Sequence, residues 1–140
     1  MRVYLDASIV VALLTRDSLT AKAEKIVLVD HPTLVVSDFA AAEFASAISR
    51  RVRTGHLTAE EASAAFTLLD RWLARRARMV ETTAGDVALA AQYLRRVDVA
   101  LRTPDALNIA IAVRVGTAIA TLDRQMAVAA RTLGAEVVAA

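Results

Sequence analysis

Four acidic residues stand in apolar surroundings that do not suit an ordinary surface carboxylate. Asp6 ends Arg2-Val3-Tyr4-Leu5-Asp6, and Glu43 lies inside Phe39-Ala40-Ala41-Ala42-Glu43-Phe44. Asp105 follows Pro104, and Asp123 closes Ile119-Ala120-Thr121-Leu122-Asp123. Burying an ionised carboxylate is costly unless a cation compensates it. Several like charges in one place need that compensation most, and a divalent ion with oxygen ligands is the usual source. If the four converge, the chemistry is that of a metal-dependent hydrolase.

Each acid also has a plainer role. Asp6, Asp105 and Asp123 all fall at expected helix starts, where a carboxylate caps free N–H groups and complements the helix dipole. Thr103, just ahead of Pro104, is the expected cap of the second of these helices, which frees Asp105. Glu43 is interior to its helix and shares a stripe with Ser46 and Arg50 at spacings of three and four. Ser8 and Thr121 each lie two residues from an acid, close enough to add a hydroxyl ligand or orient a carboxylate.

Other chemistries find little support. The chain has no cysteine, so neither a disulfide nor a thiolate metal site exists. His31 precedes a proline in a turn and His56 follows Gly55, and neither has a partner at metal-ligand spacing. Four glycines include no phosphate-binding loop, and no serine has the setting of a triad nucleophile. The excess of 17 Lys+Arg over 15 Asp+Glu is small, but all except Lys22 and Lys25 are arginine. They cluster at Arg50, Arg51 and Arg53, at Arg71, Arg75, Arg76 and Arg78, and at Arg95 and Arg96. A guanidinium fork suits phosphate, although the same clusters also serve as solvated helix faces.

The elements that must position these residues follow from periodicity and punctuation. Strands are predicted at Arg2–Leu5, Thr33–Ser37, Met79–Thr82, Thr117–Thr121 and Glu136–Val138, all short and apolar. Helices are predicted at Ala7–Leu14, Ser18–Val29 (capped by Ser18 or Asp17), Asp38–Arg53, Thr83–Arg96, Pro104–Val115 and Asp123–Leu133. Another runs to about Arg76 from a capping box of Thr58 and Glu61, and Asp38 is a further expected cap. Short apolar strands alternating with helices indicate an α/β fold, a parallel sheet covered on both faces. Asp6 and Asp123 then follow strands at their carboxyl ends, where open parallel sheets place their binding crevice. A chain of 140 residues, 56% hydrophobic, suits one domain spanning 1–140. No apolar run approaches the ~20 residues of a membrane helix, and Asp6 interrupts what would otherwise resemble a signal peptide. A soluble, cytoplasmic protein is expected.

The acids, in this order and setting, resemble those of the PIN domain, and most closely the VapC toxins of prokaryotic toxin–antitoxin pairs. The resemblance rests on Val3-Tyr4-Leu5-Asp6-Ala7-Ser8, Ala42-Glu43-Phe44, Leu101-Arg102-Thr103-Pro104-Asp105-Ala106-Leu107-Asn108 and Ala120-Thr121-Leu122-Asp123-Arg124, and it covers the whole chain. Asn108 departs from the histidine or aliphatic residue common in relatives. The resemblance implies a three-layer α/β/α fold with a short central parallel sheet. It also implies a Mg²⁺- or Mn²⁺-dependent endoribonuclease whose catalytic and metal-binding residues are Asp6, Glu43, Asp105 and Asp123. Asp6 and Asp105 would be the principal ligands. The implied partners are an RNA substrate, a VapB-type antitoxin and a second copy of the chain. The Ala-rich helices near residues 39–48 and 62–74 offer faces for that homodimer. A haloacid-dehalogenase-like phosphohydrolase would need a second Asp where Ser8 stands. A catalytically idle RNA- or protein-binding module would gain nothing from mutually repelling acids.

Overall fold

The computed structural model describes residues 1–138. In chain order the elements are β1 (Arg2–Leu5), α1 (Ala7–Thr15), α2 (Thr20–Leu28), β2 (Thr33–Ser37), α3 (Asp38–Arg53) and α4 (Ala59–Arg76). There follow β3 (Ala77–Val80), α5 (Ala84–Leu94), α6 (Thr103–Arg114), β4 (Ala118–Ala120) and α7 (Arg124–Thr132). The strands form one parallel sheet in the order β3-β2-β1-β4. Tyr4 of β1 sits opposite Val35 on one side and Ile119 on the other.

Side-chain alternation along the central strands sorts the core into two halves. Val3 and Leu5 of β1, with Leu34 and Val36 of β2, pack with Ile9, Val10, Ile26, Phe44 and Ile48 of the helices α1–α3, and Leu69 of α4 joins them. Tyr4 and Val35 point the other way, toward Ile109, Ile111, Met126 and Ala130 of α6 and α7. The result is the three-layer α/β/α arrangement that the strand pattern implies. The chain leaves β1 on one side to build β2 and β3, then returns to its other side as β4. That reversal opens the crevice at the carboxyl ends of β1 and β4.

Local structure differs from the sequence expectation at several ends. β3 starts at Ala77, directly off α4, because Ala77 pairs with Leu34 of β2 and no helix breaker stands between the two elements. The segment expected to form a strand at Glu136–Val138 makes only one bridge, Val137 to Ile119. Helix α2 begins at Thr20 with no side-chain cap, since Asp17 and the Thr20 hydroxyl are used in the preceding turn. Ser37, not Asp38, caps α3, and Asp38 instead receives the Thr82 amide and hydroxyl. Thr103 lies inside α6, whose N-cap is Arg102 and carries no side-chain cap. The capping box of Thr58 and Glu61 forms as expected. No helix of the described residues is long and apolar enough to cross a membrane.

Candidate active site

Asp6 leaves β1 at the crevice, and its amide bonds the Ala120 carbonyl of β4 at 3.2 Å. Its side chain caps α1 by accepting from Ile9 N at 3.3 Å. Two hydroxyls hold the carboxylate as well: Ser8 donates to Oδ1 at 2.6 Å and Thr121 to Oδ2 at 2.5 Å. Each hydroxyl is itself anchored by a backbone amide, Leu122 N on Ser8 and Asp123 N on Thr121. Both hydroxyl protons are therefore directed at Asp6, which fits a carboxylate that is only an acceptor. Asp6 is buried, 5% exposed, and no ion pair reaches it among the described residues. Burial raises its pKa above the ordinary carboxylate range, against the lowering pull of the Ser8 and Thr121 bonds.

Glu43 projects from the middle of α3 into the same region. Burial raises its pKa too, Asn108 opposes this through a hydrogen bond, and the charges of Asp6 and Asp105 add to the rise. Those influences put Asp6 and Asp105 each within electrostatic reach of Glu43. Asn108 Nδ2 donates to Glu43 Oε1 at 2.6 Å, and among the described residues Oε2 has no protein partner. The sequence marks Asn108 only as a departure from the family pattern, because a single amide in an apolar helix gives no sign of a partner 65 residues away.

Asp105 and Asp123 are joined through Arg102, whose guanidinium lies 3.2 Å from Asp105 Oδ2 and 3.8 Å from Asp123 Oδ2. Arg102 is 74% exposed, so this bridge sits in solvent. Asp123 also caps α7 through Met126 N at 3.1 Å. It borders a second hollow beside Lys22, Arg124 and Arg131, which makes it the outermost of the four acids.

A cleft of about 780 Å³ opens beside this cluster, lined by Ser8, Phe39, Glu43, Arg50, Arg51 and Arg102, among others. Among the described residues, Glu43 is the one of the four acids in its lining, and Arg50, Arg51 and Arg102 are the cations there. Among the described residues no three Asp, Glu or His side chains are close enough to hold one ion between them. The donor chemistry still fits a hard divalent ion. All donors are carboxylate or hydroxyl oxygens, and Asp6 is a buried acid without a cation. Mg²⁺ keeps several of its waters and commonly takes only one or two carboxylates, so an open set of this kind suits it.

A family model described as PIN domain matches residues 3–132. Among solved structures the fold is similar to Mycobacterium tuberculosis VapC20, a sarcin–ricin loop cleaving toxin. The TM-score is 0.72 at 21% identity, covering 91% of this chain and 94% of that one. It is also similar to VapBC-1 from nontypeable Haemophilus influenzae, with TM-score 0.66, 16% identity, and coverage of 99% and 97%. FitAcB from Neisseria gonorrhoeae aligns with TM-score 0.65 at 17% identity, covering 98% and 96%. No curated protein matches the chain by sequence.

Proposed function

Because the chain belongs to the PIN domain family, we propose that it is a metal-dependent endoribonuclease, the toxin of a toxin–antitoxin pair. The observation that carries this reading is the pairing of two desolvated acids, Asp6 and Glu43, beside Asp105, with no ion pair to either of the first two among the described residues. A fold gains nothing from such a grouping unless a cation completes it. Asp6 and Asp105 are the principal ligands, and Glu43 and Asp123 hold water or a further ion. A bound Mg²⁺ or Mn²⁺ supplies a hydroxide-like nucleophile near neutral pH and offsets charge on the phosphate. Ser8 and Thr121 fix the Asp6 carboxylate, so its lone pairs meet the ion without reorganisation.

The cations of the cleft support the substrate class. Arg50 lines the cleft free of any ion pair among the described residues, and Arg51 and Arg102 flank it. Guanidinium groups in the cleft that Glu43 lines would grip a polyphosphate backbone while its scissile bond is held at the acids. The M. tuberculosis neighbour is a toxin that cleaves the sarcin–ricin loop, which supports a nucleic-acid-cleaving role here, with RNA as the proposed substrate. A VapB-type antitoxin protein would neutralise the enzyme by covering this cleft.

The test is cleavage of a structured RNA pool containing tRNA and rRNA, with Mg²⁺ or Mn²⁺ and with chelator. Wild type should cut only with metal, and Asp6→Asn should lose at least about a hundredfold in rate, as expected when a metal ligand is removed. Wild type inert with both ions would sink the nuclease reading and favour a binding module.

A further inference from the structure

The amide of Asn108 sits at the end of a buried relay that runs through the sheet. Ala40 N donates to Ser37 Oγ at 2.9 Å, and Ser37 Oγ lies 2.6 Å from the Tyr4 hydroxyl. Tyr4 donates to Asn108 Oδ1 at 2.5 Å, and Asn108 Nδ2 reaches both Glu43 Oε1 at 2.6 Å and the Pro104 carbonyl at 3.0 Å. Ser37 and Tyr4 are fully buried, and Asn108 is 2% exposed.

Counting protons fixes the direction of every link. The two neighbours of Nδ2 are a carboxylate and a carbonyl, both acceptors, so both amide protons are spent there. A flipped amide would set its oxygen against two other oxygens. Oδ1 must then accept, and the only proton Tyr4 has goes to it. Ser37 therefore donates to Tyr4 and accepts from Ala40. Four donors in series all point toward Glu43, and none can turn round without leaving a buried group unpaired.

We propose that Asn108, held by Tyr4 and Ser37, is the positioning residue that pins Glu43 by one oxygen and leaves the other free to serve the metal site. This rests on the proposed function, since it assumes that Glu43 works for a divalent ion. The relay crosses from the α6 layer through β1 to the start of α3, so it locks one acid-bearing helix against the strand that carries Asp6.

The experiment is Mn²⁺ binding to the full chain, followed by electron paramagnetic resonance or calorimetry, with melting curves as the folding control. Asn108→Asp keeps the side chain's shape but replaces the donor by an acceptor. It should weaken Mn²⁺ binding about 10- to 100-fold, the usual effect of losing an outer-shell partner. Asn108→Ala is the second variant and should weaken binding similarly if the aspartate protein fails to fold. Tyr4→Phe removes only the director and should cost less than either. In an Glu43→Ala background, Asn108→Asp should have almost no further effect, because its influence passes through Glu43. Unchanged Mn²⁺ affinity in folded Asn108→Asp, or a loss that simply adds to that of Glu43→Ala, would overturn the positioning role. Wild type that binds no Mn²⁺, or binds it equally well as Asp6→Asn, would instead overturn the metal site itself and this inference with it.

Discussion

A carboxylate whose folded pKa lies above its unfolded value weakens the native state at neutral pH. Asp6 and Glu43 are both of this kind, and burial is the leading cause in each. In chelator, stability should therefore rise as pH falls from 7 through their raised values, and the gain should be complete near about 4, the unfolded carboxylate value. Asp38 and Asp86 act in the opposite sense. The Thr82 hydroxyl lowers Asp38, and for Asp86 the donors Arg114 and Thr83 outweigh the upward push of burial. Their stabilisation is present above about 4 and lost as pH falls through their lowered values. The melting temperature of metal-free protein should thus peak at mildly acid pH, and added Mn²⁺ should erase the rise between pH 7 and the peak. A melting temperature that only falls from pH 7 downward would show that these acids are not desolvated as described. Arg102 offers a second residue-scale test. As a solvent-exposed cation over Asp105 and Asp123, it repels a metal and attracts phosphate. Arg102→Gln should tighten Mn²⁺ binding, by up to about fivefold given the small energies of exposed pairs, while raising KM for RNA. If both affinities fall together, the arginine organises the site rather than competing for it. The acids themselves were legible because each ends an apolar run or interrupts one. Asn108 was not, since its partners Tyr4 and Glu43 lie 104 and 65 residues away along the chain.

At the level of elements, the helix that carries Asp105 packs on α5 through Ala90, Ala106 and Ala110, and an ion pair reinforces that apolar contact. Arg114 of α6 meets Asp86 of α5 at 2.6 Å and also donates to the Glu81 carbonyl. Asp86 is 1% exposed and Arg114 38%. Removing one partner of a fully buried pair costs about 3–5 kcal/mol. Arg114 is partly in water, so Arg114→Ala should cost nearer about 2 kcal/mol, read as a lower midpoint in urea. A loss below about 0.5 kcal/mol would class the contact with ordinary surface pairs. Most element types were visible in the sequence because short apolar runs alternate with capped helical periods. The sequence places β3 two residues late because Arg78 and Met79 give no alternation, and pairing with β2 decides where that strand begins. The caps at Asp38 and Thr103 were misread for a similar reason. A side chain that can cap is drawn away by a long-range partner, as Asp38 is by Thr82, or is displaced by one position when proline sets the helix start.

For the whole molecule, self-association remains the proposal most open to measurement. The Ala-rich stretch near 39–48 turns Ala40, Phe44 and Ile48 to the core, so that stretch is largely spent on folding. Helix α4 buries Ala62 and Leu69 but leaves Leu68 45% exposed, so of the two Ala-rich stretches it is the one whose outer face can meet a second copy. Light scattering at micromolar concentration should give twice the mass of the chain, and Leu68→Glu should shift it toward the single mass. A strict monomer in wild type would refute the homodimer.

The bond from Thr121 to Asp6 spans 115 residues. Arg102, Asp105, Asn108, Thr121 and Asp123 all follow residue 100. At about 5–20 residues per second, a ribosome needs on the order of ten seconds to travel from the first acid to the hydroxyl that supports it. A nascent chain therefore carries isolated acids but no assembled centre. The centre is withheld until residues 102–123 have been made, whatever the state of the segment that carries Asp6 and Glu43.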